Sequence, residues 1–496
     1  MLVGNVTATT SPRRDEAAVP GPGPHRGPEI RRRGPLRPDT GVEALSAVAS
    51  RPAPDPLSLA GLEVSIQDAR GAALSRADGP PDPEVFGSLR LRLQKASATL
   101  PPTYRRAVAE PLLALLDRLG VRGFARVLAE DPAREGAARL LLDVAQAVLQ
   151  HGEGHEARAT AAFQEVVSDL YDGFLSAEER HGVKPPDHGV APPLVRWGSA
   201  ESGPYTWPAT ATDSLGVKAA LVSLPAANAS AGLLAWPALA HETAGHDVLA
   251  ADEGLHDELA RAVRERLLAE RMDPAVADYW ADRIDETASD VLGVLNMGPA
   301  AAVGLVGYFR ALNGAWRGTS ALRNVGRADD PHPADIARAY LAAETVRLLS
   351  FEGAARWADR LVVEADRDLG RIRLGDVAVT AGVAKASAAA VARAIVRTRL
   401  GALEGRAFGE IQDWRDHDEA IVADLRRRLR EGSGAAAGKY AEGTYAAHAV
   451  AAGVYEAVAG ASNPRQVMSR MIGVLAAMHD RNGDWGARRD RAARPA

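Results

Sequence analysis

The chain has 496 residues, of which 46% are hydrophobic and 25% charged, with a formal net charge of −5. That is enough apolar material for a sizeable core and roughly two to four domains, and the small charge points neither to nucleic acid nor to an anionic membrane surface. There is no cysteine, which excludes disulfides, thiolate metal sites and cysteine nucleophiles and leaves His, Asp and Glu as metal ligands.

The opening "MLVGNVTATTSPRRDEAAVPGPG" lacks the apolar stretch of a signal peptide, and no run of about 18 uncharged apolar residues follows, so the expected location is the cytoplasm. The Ala, Arg, Gly and Pro bias suggests a bacterial chain from a GC-rich genome. Residues 1–82 are rich in Pro, Gly and Arg, including Arg31, Arg32 and Arg33, and are expected to be a disordered tail with a solvated charge run.

From 83 the pattern becomes helical. "YRRAVAEPLLALLDRLG" puts Val108, Leu112, Leu113, Leu115 and Leu116 on one stripe, so an N-terminal helical domain is expected over 83–200. A loop-rich stretch then leads into "VKAALVSLP", residues 217–225, the best strand candidate and a possible substrate edge. Helical periodicity resumes at Pro237 and continues almost to the end, giving a metal-binding catalytic core over 201–350 and a C-terminal helical domain over 351–496. The expected fold is mainly α, a multi-helix core with a small β-sheet beside the active-site helix.

Within that core, "HETAGH" places His241 and His246 five residues apart, with Glu242 beside the first. Histidines four apart stand one turn apart on one face of a helix, whereas five residues turn through about 500° and leave the rings about 140° apart. One wide π-type turn of roughly 4.4 residues returns the second ring to the face of the first. Gly245 lies where that distortion falls, and glycine tolerates it best.

Forty residues on, "DETASDVLG" places Glu286 and Asp290 four apart on one face of a helix expected over about Pro274 to Met297, among Trp280, Ile284, Val291 and Leu292. Carboxylates on an apolar face need partners. A metal bound by Glu286, with Asp290 on the far nitrogen of a ligand histidine, satisfies both; an ion-pair network with Arg283 and neighbouring helices is the competing account.

"HETAGH" followed by "DETASDVLG" resembles the gluzincin metallopeptidases. The H-E-x-x-G-H form is similar to the dipeptidyl peptidase III family, while the "ASDVLG" ending and His332, Pro333 and Arg338 of "DPHPADIARAY" resemble segments of the M48 family, from whose histidine spacing this chain departs. The likeness covers roughly residues 218 to 340. It implies Zn2+ on His241, His246 and Glu286, Glu242 as general base towards a metal-activated water, and Asp290 behind a ligand histidine. It leaves His332, Arg338 and Tyr340 as candidate oxyanion donors, with Tyr445 and His448 weaker ones.

These features together imply a zinc-dependent hydrolase acting on a peptide or other amide, with neither nucleic acid nor membrane as partner and an oligomeric state the sequence leaves open. Two alternatives stand beside it: a non-enzymatic helical scaffold that keeps a metallopeptidase fold, and a metal-dependent enzyme with a non-peptide substrate. A di-metal helical bundle needs paired E-x-x-H motifs, and only Glu253 to His256 offers one.

Overall fold

Apolar residues at helical spacing, punctuated by proline at first turns and glycine at ends, become helices with matching caps. Asn463 accepts hydrogen bonds from the backbone of Arg465 and Gln466 ahead of Pro464–His479, and Gly154 ends Ala137–Glu153 in the left-handed region. The computed structural model describes residues 57–175, 183–189, 191–432 and 443–486, and these form a mainly helical protein with two three-stranded sheets. No helix among the described residues is long and apolar enough to cross a membrane.

The expected tail needs correction at its C-terminal end. Residues 1–56, with the arginine triplet, lie outside the described residues. Leu62–Ala73, however, is a helix that buries Leu62, Ile66, Ala69 and Ala72. Gly61 donates its backbone N–H to Val458 and has the Ala457 carbonyl and Gly460 against the place a Cβ would occupy, so this helix is locked to Ala446–Val458.

The first sheet pairs β1 (Leu194–Gly198) parallel to β3 (Leu221–Pro225) and β2 (Tyr205–Trp207) antiparallel to β3. Strand β3 is therefore the centre of the sheet and β2 its edge, a correction to the expectation that residues 217–225 offer a substrate edge. The sheet divides two cores: Val195, Trp197, Val222 and Leu224 belong to the main core, and Leu194, Leu221 and Trp207 to a smaller one built on the helices between Leu89 and Leu149. Burial of both faces is why β3 reads as an apolar run broken only by the buried Ser223. The domain boundary expected at 200 falls between two strands of this one sheet.

The main core runs from Leu59 to Met478. At its middle, the helix expected over Pro274 to Met297 is two helices, Pro274–Ala281 and Ile284–Met297. The break at Arg283, with φ −115° and ψ 28°, lets its guanidinium donate to the carbonyls of Tyr279, Arg327, Ala328 and Asp330. Arg283 thus holds the loop before His332 and does not pair with Glu286 or Asp290; the arginine ion pairs of these two carboxylates come instead from Arg338 on a neighbouring helix. A second sheet joins β4 (Val325–Gly326), β5 (Ile372–Leu374) and β6 (Val377–Val379) beyond this loop.

Candidate metal centre

Helix Ala238–His241 passes directly into a π-helical turn, Glu242–Asp247, so the five-residue spacing is accommodated by one wide turn. The two imidazoles meet at right angles with centroids 4.7 Å apart, and their Nε2 atoms are 3.1 Å apart. Glu286, from Ile284–Met297, comes within 3.5 Å of His241 Nε2 and 3.8 Å of His246 Nε2. One ligand atom from each of the three lies within 4.8 Å of the other two.

Small residues permit this approach. A Cβ on Gly245 would lie 2.6 Å from Ser289 Cα, and one on Gly293 3.3 Å from the backbone nitrogen of His241. Gly245 does not have a positive φ. It serves the contact between turn and carboxylate helix, a different role from the conformational relief its place in the sequence suggests.

The rings are fixed from behind. Asp290 lies 2.9 Å from His241 Nδ1, and Asp285 lies 3.0 Å from His246 Nδ1. With Nδ1–H donated to a carboxylate, each ring turns an Nε2 lone pair towards the same point, an arrangement that a shared proton or cation must relieve. Tetrahedral ligands at about 2.0 to 2.1 Å from one ion stand about 3.3 Å from each other; the Nε2 pair at 3.1 Å is close to that value, and Glu286 brings Oε2 to 3.5 Å from His241 and Oε1 to 3.8 Å from His246. Donor types and spacing therefore fit a divalent metal.

The electrostatics favour a cation as well. Burial lowers the pKa of both imidazoles, but the neighbouring carboxylates outweigh it: Asp290 and Glu286 raise His241 to about 8, and Asp285, Glu286 and Glu242 raise His246 to about 10. Burial pushes Glu286 up, yet His332, His241, Arg338 and His246 hold it well below the usual carboxylate range. Asp290 is likewise raised by burial and brought down by Arg338 and His241.

Among the expected oxyanion donors, the placements differ. Arg338 gives Nε and Nη2 to the two oxygens of Asp290 at 2.7 and 2.8 Å and approaches Glu286 at 3.2 Å, so it is spent on the carboxylates. Tyr340 points away, donating to Asp366 at 2.7 Å; two residues along a helix is about 200° around it. His332 reaches the site, with Nε2 3.4 Å from Glu286 and Nδ1 3.1 Å from Asp330. Tyr445 donates to the carbonyl of Asn296, and His448 pairs with Asp418, whereas Glu253 and His256 are exposed.

Two residues escaped the sequence reading. Asp285 was hidden as the neighbour of Glu286, although its position in the helix's first turn directs it to the second histidine. Tyr308 lies on Pro299–Trp316, one turn beyond Gly304, which packs against Pro237 at the head of the histidine helix. Burial first, and the Glu242 charge second, hold its hydroxyl well above the ordinary phenol range. No family model, curated protein or solved structure matches this chain.

Proposed function

We propose that the protein is a zinc-dependent hydrolase acting on a peptide or other amide. The observation that carries the reading is the pair of Nε2 atoms 3.1 Å apart, each backed by a carboxylate and facing Glu286, with Glu242 on the adjoining residue of the turn. Two imidazoles and a carboxylate are a zinc donor set that leaves a fourth position free. Zinc held there supplies a lowered pKa for water and polarisation of a carbonyl.

The chain's own groups supply the rest. Glu242, 6% exposed, accepts the proton of the attacking water and returns it to the leaving amine. Asp290 and Asp285 keep both imidazoles in the tautomer that offers Nε2, and Arg338 holds Glu286 and Asp290 in place. Tyr308, on the neighbouring helix Pro299–Trp316, feels the Glu242 charge and stays protonated. Edge strand β2, unpaired on its outer side among the described residues, suits an extended substrate and favours a peptide.

Metal content by mass spectrometry, together with Glu242→Gln, tests the proposal. One zinc per chain is expected in both proteins, with hydrolysis of a peptide library only in the parent. A parent protein that carries no stoichiometric metal and cannot be loaded overturns it.

A further inference from the structure

The two residues that flank Thr206 are both tied to one buried carboxylate. Tyr205 donates its hydroxyl to Asp143 Oδ2 at 2.7 Å, and Trp207 donates Nε1 to the same oxygen at 2.8 Å. Arg196, from β1, pairs with the other oxygen, and the Arg139 guanidinium covers the Tyr205 ring at 4.5 Å. Asp143, 3% exposed, stands on Ala137–Glu153 on the smaller core's side of the sheet. Strand β2 is thereby fastened on one face through two alternate side chains.

Alternation along a strand sends the residue between them to the opposite face, which is the face of the histidine helix. There the Thr206 hydroxyl lies 2.9 Å from Glu242 Oε2 and 3.0 Å from the Glu242 carbonyl oxygen. Among the described residues, Oε1 of Glu242 accepts no side-chain hydrogen bond. A glutamate rotates about three bonds and gains precision only from partners that hold it. Here one oxygen is held and the other is left for a reacting water.

We propose that Thr206 is the positioning residue of the general base: the Asp143-anchored edge strand holds its hydroxyl against one carboxylate oxygen of Glu242 and so aims the other. This rests on the metal-hydrolase reading above. It adds a second duty to β2, because the strand that borders the substrate also orients the group that activates water. Threonine matters here for its hydroxyl, and serine supplies the same donor.

The test uses the full chain loaded with zinc and acetohydroxamate as probe, a small chelating acid whose proton passes to a neighbouring carboxylate when it binds a metal. Thr206→Val is expected to weaken acetohydroxamate about tenfold with zinc affinity unchanged, and Thr206→Ser to restore it. In Glu242→Gln, already weakened, adding Thr206→Val should cost nothing more, because the two residues act as one unit. Unchanged binding in Thr206→Val, or a loss that adds in full to that of Glu242→Gln, overturns the proposal while the metal reading stands. Should Thr206→Val fail to fold, Thr206→Ala takes its place under the same criteria. A parent protein that binds neither zinc nor acetohydroxamate overturns both.

Discussion

Two imidazoles whose Nδ1 atoms are engaged by Asp290 and Asp285 have only their Nε2 positions left, and a metal must take those positions from protons. Because His241 is raised to about 8 and His246 to about 10, the metal-free centre is protonated at pH 7. Zinc loading at pH 7 should therefore expel at least one proton, and the number should fall as pH rises through about 8 and then about 10, with apparent affinity rising over the same window. Calorimetry in buffers of different ionisation enthalpy measures this directly, and a proton count of zero at pH 7 would contradict it. Asp285→Asn removes the leading attraction on His246, so the variant should expel fewer protons near pH 9. The sign for folding is opposite: raised imidazoles stabilise the metal-free protein fully below about 6.5, and that contribution is lost as pH climbs through the raised values.

At the scale of elements, the centre is one wide turn laid on one helix. The turn was legible because five residues cannot bring two rings together on a regular helix, and Glu286 with Asp290 was legible from four-residue spacing on an apolar stripe. The role of Gly245 was not, since its neighbour in space, Ser289, is 44 residues away in the sequence. The reversal of β2 and β3 was equally hidden: a three-residue strand such as Tyr205–Trp207 has too few positions to show a period, and strand order is a property of pairing. Gly245→Ala should force the turn off the carboxylate helix, destabilising the protein by about 1 to 3 kcal/mol and weakening zinc binding. Ser289→Gly takes away the opposing Cβ and hydroxyl but leaves its Cα 2.6 Å from the new methyl, so Gly245→Ala/Ser289→Gly should recover only part of both. Denaturant unfolding and chelator competition read the two effects, and a single variant that binds zinc as tightly as the parent would show that the contact does not set the site.

For the molecule as a whole, the three candidate ligands sit on elements of a core that runs from Leu59 to Met478. Gly304 and Gly307 bring helix Pro299–Trp316 against Pro237 and Leu234 ahead of the histidines, and Leu62 of the first described helix lies beside Gly307. The sequence concealed this continuity behind Pro-, Gly- and Arg-rich flanks: Leu62–Ala73 lies inside the segment that composition marks as a tail, and half of its apolar positions are alanines, common throughout the chain. If site and core are one cooperative unit, a ligand that binds only the folded state stabilises all of it. Zinc at a free concentration 100 times its dissociation constant is worth about 2.7 kcal/mol, which at this size raises Tm by roughly 3 °C. Calorimetry should show a single transition that moves up with zinc and returns with chelator, and His246→Ala should abolish the shift while retaining the fold. Two separate transitions, only one of them responsive to zinc, would instead make the metal centre a unit that folds apart from the remainder of the core.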